Sequence, residues 1–194
     1  MIKQAKIDGI TEAVIFRETA KLHGLQTDRR DFDRFAAALT KAHLERAAEL
    51  RERGHALPGA ASALDALGEL PGVVQTVLTG NIRMVAEIKL QVFGLDGHIR
   101  WDVGAFGEDD DVRAELVRIA LSRATEAFGE PVTSRDVVLI GDTPADVEAA
   151  LRNDAAVIAV ASGKSSVEDL RDAGAIRVLQ SLEDVGALIA LVGA

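Results

Sequence analysis

Three short apolar runs, spaced by helical stretches, constrain this chain more than any other feature. "VVQTVL" (73–78), "VVLIG" (137–141) and "AVIAVA" (156–161) are rich in β-branched residues. Such runs suit strands buried on both faces of a parallel sheet. Apolar spacing around them predicts helices near 82–93, 111–128, 145–152, 166–173 and 183–191. Strand alternating with helix is the pattern of a doubly wound α/β sheet.

The first quarter has a different texture. Thr11 is positioned to cap a helix carrying Val14, Ile15, Ala20 and Leu22 and stopped by Gly24. Phe32, Phe35, Leu39, His43 and Leu50 then mark one stripe of a second, long helix. "GHALPG" (54–59) reads as a turn and a hinge, and sets a boundary between residues 1–56 and 57–194. The 194 residues carry a net charge of −9, which argues against a nucleic-acid or anionic membrane partner. No apolar run approaches the length of a membrane-spanning helix, and no signal segment opens the chain. The absence of cysteine excludes disulfides, thiolate catalysis and Cys-based zinc sites. A cytoplasmic protein is the expectation; oligomeric state is not legible.

Ligands of such sheets bind beyond the carboxyl ends of the strands. There the sequence places "TGN", Thr79, Gly80 and Asn81. A hydroxyl, a glycine and an amide ahead of a helix can hold a phosphate oxygen; equally, Thr79 or Asn81 can simply cap that helix. The second tip reads "IGDTPAD". Asp142 and Asp146 together can bind a hard cation such as Mg²⁺. Thr143 with Asp146 is also an ordinary capping pair, whereas Asp142 precedes the cap and follows directly on a buried strand. The four histidines show no metal-ligand spacing, there is no nucleophile elbow or Walker-type loop, and Trp101 reads as a packing residue at a strand start.

Taken in order, "VLTGN", "KLQVFGL", "GAFGEDDDVRAELVRIALSRA", "IGDTPAD" and the closing "VASGKSSVEDLRDAGAIRVLQSLEDV" resemble the haloacid dehalogenase superfamily, in particular its phosphoglycolate-phosphatase-like hydrolases with an α-helical cap. The resemblance covers roughly residues 7–190; each motif alone is weak, and the ordered set is specific. It implies a Rossmann-like core over 57–194, a partial cap over 1–56, and a small phosphorylated metabolite as substrate. It also implies attack by an aspartate to give an aspartyl-phosphate, with a second aspartate two residues on as general acid and base. By the same resemblance Thr79, Gly80 and Asn81 contact the phosphoryl group, Asp142 ligates Mg²⁺ and Asp146 orients the site from behind. Arg113 stands where the family usually carries a lysine; Lys89 is the runner-up for that cation, with a helix-surface position as its plainer reading.

The nucleophile itself is the open point. "KIDGIT" (6–11) looks like a damaged copy of the family's Asp-x-Asp-Gly-Thr, but only the short, polar "MIKQA" precedes it. The stretch "DGITEAVIFRETAKLHGL" fits the cap better, making Gly9, Thr11 and Glu12 cap residues, and Lys6 cannot act as this kind of nucleophile on either reading. "DFD" (31–33) and "DDD" (109–111) read as solvated acids at helix starts. The expectation is therefore a chain without the family's first core strand, which lies at the sheet centre, and inactive for that reason, whether through a misplaced start, a truncation or a genuine loss. Two other readings are a non-catalytic phosphate- or partner-binding protein on the same fold, and a receiver-like or nucleotide-binding α/β domain with chance motif matches.

Overall fold

Helix α1, Glu12–Leu22, starts after an extended Thr11 and ends at His23, where Gly24 takes a φ of 71°. Thr11 holds the expected capping position without the expected bond: its hydroxyl is buried and unpartnered. Helix α2, Arg29–Glu45, opens on a capping box between Asp28 and Asp31. The single long helix expected here breaks at Arg46 and resumes as α3, Ala47–Arg53. Tertiary contacts account for the break. Arg51 Nε donates to the Val92 carbonyl at 3.0 Å, and Gly54 lies so close to Phe93 that a Cβ there would stand 2.8 Å from the ring. The three phenylalanines of this layer cluster, Phe16 on Phe35 at 4.8 Å between centroids, and pack with Ile82 and Val85.

These positions come from a computed structural model that describes residues 9–193. After the 54–59 turn comes a short helix that the sequence reading missed, α4, Ala60–Gly68, burying Ala63 and Leu67. The 73–78 run follows. It was expected as a strand buried on both faces, and that is corrected: it is extended but half-exposed, and its backbone bridges among the described residues are to 99–105. Isolated parallel bridges link Gln75 with Ile99 and Leu78 with Ala105. Trp101 begins a single 3₁₀ turn, Trp101–Val103, rather than a strand. Between them runs α5, Arg83–Val92, and α6, Arg113–Phe128, comes next.

The regular sheet lies C-terminal to this. Strands β1, Val138–Gly141, β2, Ala156–Val160, and β3, Arg177–Leu179, pair in parallel in the order β1-β2-β3. Parallel neighbours require crossovers; α7, Pro144–Leu151, and α8, Val167–Asp172, provide them. Helix α9, Val185–Val192, closes the fold, its Leu188 meeting Ile158 and Leu67 in the core. No described helix is long and apolar enough to cross a membrane.

Among the described residues, strand β1 pairs with β2 on one edge only. On its other side lies a cavity of about 530 Å³, walled by Val74, Thr76 and Leu78 on one flank and Val138, Leu139 and Ile140 on the other. This cleft is where the sequence resemblance implies a core strand that the described residues do not supply.

Candidate active site

The 79–81 loop is held from two directions. Glu12 N donates to the Gly80 carbonyl at 2.8 Å, and Ile82 N donates to Glu12 Oε2 at 2.6 Å. A Cβ on Gly80 would stand 2.7 Å from the Ile10 carbonyl oxygen, and one on Gly107 only 1.8 Å from the Gly80 oxygen. Both glycines are therefore required by close backbone approach. The capping alternative for this loop is not what the structure contains. Helix α5 has no side-chain cap from its own N-cap residue. Its first amides are taken by Glu12 and by Glu108, whose carboxylate accepts from Arg83 N at 2.9 and 3.0 Å. Thr79 Oγ1 instead accepts from Asn81 N and Nδ2, at 3.2 and 2.9 Å, and Asn81 Oδ1 accepts from Lys89 Nζ at 2.6 Å.

The other tip holds two carboxylates in unlike settings. Asp146 is buried and does double duty: Oδ2 accepts from Thr143 Oγ1 at 2.7 Å within a capping box, and Oδ1 pairs with Arg113 at 2.7 Å. Asp142 is half-buried, and burial, then the nearby Asp146, push its carboxyl above the usual carboxylate range, with Arg113 pulling the other way. Glycine makes the room. A Cβ on Gly163 would fall 2.0 Å from Asp142 Oδ2, and one on Gly141 2.5 Å from Asp146.

Arg113, the first residue of α6, is thus no solvated helix residue; its side chain is 19% exposed, and its Nε is buried without a partner. Lys89 departs from its surface reading as well. It is partly buried and reaches Asn81; burial lowers its pKa while Glu12 opposes the shift, and burial raises that of Glu12. A cavity of about 800 Å³ collects Thr79, Gly80, Asn81, Lys89, Arg113 and Glu12 on its wall. Asp142 does not line it, and Asp146 lines the neighbouring cleft, so the Arg113–Asp146 pair stands between the two spaces.

No group of three or more His, Asp or Glu is gathered for a metal among the described residues. Asp142 is a suitable oxygen donor for Mg²⁺, but Asp146 is committed to Arg113 and Thr143. The donors fit only part of the octahedron that Mg²⁺ demands. The other acidic runs are structural. Asp31 belongs to the α2 capping box, Asp109 forms a bidentate pair with Arg123 at 2.7 and 2.8 Å, and Asp111 pairs with Arg17 across to α1. Calling the 109–111 acids solvated is therefore corrected for Asp109. Lys6 lies outside the described residues. Lys89, the runner-up cation, does line the cavity, and Glu12 is the lining group whose site contact sequence reasoning missed. An acid in the first turn of α1 was the visible signal for Glu12; its contact across 70 positions was not.

A sequence model of haloacid dehalogenase-like hydrolases matches residues 5–151. No curated protein matches the chain. Among solved structures, a hydrolase from Pseudomonas syringae is similar over 94% of this chain and 79% of its own, with 22% identity and a TM-score of 0.65. A protein described as a predicted phosphatase from Clostridium acetobutylicum is 21% identical over 89% of this chain and 75% of its own, with a TM-score of 0.62. A protein described as a predicted phosphoglycolate phosphatase from Haemophilus somnus 129PT is 15% identical over 92% and 77%, with a TM-score of 0.58. At such identities these likenesses speak to the fold alone.

Proposed function

The chain belongs to the haloacid dehalogenase-like hydrolase family, and from that premise we propose that its site serves hydrolysis of a small phosphomonoester. Thr79 Oγ1, the Gly80–Asn81 backbone and the Asn81 amide hold the phosphoryl oxygens. Arg113 balances their charge from the cavity wall, and Asp146 fixes the guanidinium. Charge-assisted hydrogen bonds of this kind are worth about 1.5–3 kcal/mol each. Asp142 is the residue that would hold Mg²⁺, which supplies charge neutralisation at the phosphoryl group when bound. Residues 1–56 act as a helical cap on a 57–194 core. The attacking aspartate belongs to a strand seated in the 530 Å³ cleft. The described residues do not supply that strand, and without it the site binds phosphate and does not turn it over.

The observation that carries this reading is the convergence of Thr79, Asn81 and Arg113 on one cavity, with Arg113 held in place by Asp146. Calorimetry with inorganic phosphate tests it. Binding should weaken at least about tenfold in Thr79→Val, the equivalent of one lost hydrogen bond. Hydrolysis of p-nitrophenyl phosphate with Mg²⁺ should match buffer alone. Phosphate binding indifferent to Thr79→Val and Arg113→Lys would overturn the assignment. A non-catalytic phosphate-binding role has one observation in its favour: among the described residues no Asp-x-Asp ends an apolar strand.

A further inference from the structure

We infer that the phosphomonoester taken by this site has an uncharged, apolar alcohol part, the size of a short alkyl chain or a single ring. The inference rests on the assignment of Thr79, Asn81 and Arg113 as the phosphoryl end. From that end the same cavity runs between α1 and α2, where its wall is mainly Ile15, Phe16, Ala20, Leu25, Phe35 and Leu39, with Thr19 and His23 as polar members. Its volume, about 800 Å³, falls within the range of small-molecule sites, which are apolar spaces oriented by a few polar groups.

The apolar wall is pre-formed. Phe16 and Phe35 stack at 4.8 Å with 26° between planes, and both pack on Phe32, which is 6% exposed. Rigid aromatic surface of this kind favours a partner that buries apolar area against it. Charge lies at the opposite end and is already matched there. Lys89 is held by Asn81 with Glu12 as its opposite charge, and Arg113 is held by Asp146. A second carboxylate or phosphate on the substrate would be desolvated against Phe16 and Leu39 with no further lysine or arginine among the described lining residues to meet it, which is unfavourable.

Calorimetry on the 194-residue protein with three non-hydrolysable probes tests this. Methylphosphonate reports the phosphoryl end alone; butylphosphonate adds apolar length; phosphonoacetate adds a second acid. Butylphosphonate should bind about tenfold or more tighter than methylphosphonate, allowing for partial burial of three further methylenes. Phosphonoacetate should bind more weakly than either. Leu25 is 60% exposed at the mouth of the cavity, so Leu25→Lys should keep the fold. That variant should bring phosphonoacetate above methylphosphonate. Butylphosphonate no tighter than methylphosphonate, or phosphonoacetate the tightest on the parent protein, overturns the apolar assignment and leaves the phosphoryl end standing. No binding of methylphosphonate overturns both.

Discussion

Two neighbouring isoleucines show how differently the two sides of this sheet are built. Ile158 in β2 is 0% exposed, with β1 and β3 on its flanks; Ile140 in β1 is 40% exposed and faces the cleft. Both residues have the same preference for strand. What separates them is cover: Ala63, Leu67 and Leu188 pack on Ile158. Across the cleft Val74 is 45% exposed, in a run whose composition is that of a buried strand. Parallel sheets are ordinarily covered on both faces, and an unpaired strand edge is a template for another strand. The closed side of the sheet holds the fold together, while the open side borders the site.

The sharpest way to break this comparison is to truncate both isoleucines. Ile158→Ala removes a fully buried side chain and should cost about 2–5 kcal/mol in urea unfolding. Ile140→Ala should cost under about 1 kcal/mol, as for a half-exposed position. Equal costs would mean that the cleft is filled in solution. Next in size, Arg113→Met leaves Asp146 buried without its cation. Breaking a fully buried pair costs about 3–5 kcal/mol, so this partly shielded one should cost roughly 2, with loss of phosphate binding.

The smallest effect carries the clearest sign. Asp142 has a folded pKa raised above 3.8, first by burial and then by Asp146. Its contribution to stability is fully present below its unfolded value and lost as pH rises through the raised one. Asp142→Asn should therefore melt higher than the parent at pH 7, with the gap closing as pH falls toward 4. A gap that widens on acidification would contradict the assigned environment.

Much of the closed side was legible in the sequence, because β-branched runs and helical spacing act locally: β1, β2 and α5 to α9 fall within two residues of their expected positions. The break at Arg46 was not legible, since "AHLERAAEL" is helix-forming throughout and the turn follows from packing on α5. The 73–78 run misled for a related reason: propensity records what a residue prefers and not whether a partner strand is there. At the site, strand-tip position pointed to Thr79, Asn81 and Asp142. Lys89 was legible as the runner-up cation, eight residues from Asn81, whereas Glu12 reaches the loop through a contact across 70 positions that no local pattern encodes.

The central claim is that the cleft is a strand slot beside a half-assembled phosphoryl site. Fusing an apolar strand ending in Asp-x-Asp-Gly-Thr ahead of residue 1 tests it in one measurement, a melting curve read alongside Mg²⁺-dependent phosphate release. Filling the slot buries about five apolar side chains at about 1.5–3 kcal/mol each before ordering costs. A rise in melting temperature of roughly 5–10 °C is expected from the few kcal/mol that remain. Phosphatase activity should appear with it, and changing the first supplied aspartate to Asn should remove the activity and keep the stability. An extended protein that melts no higher than the parent would contradict the slot. One that is stabilised yet inactive on every phosphomonoester would leave the fold account intact and favour the non-catalytic role.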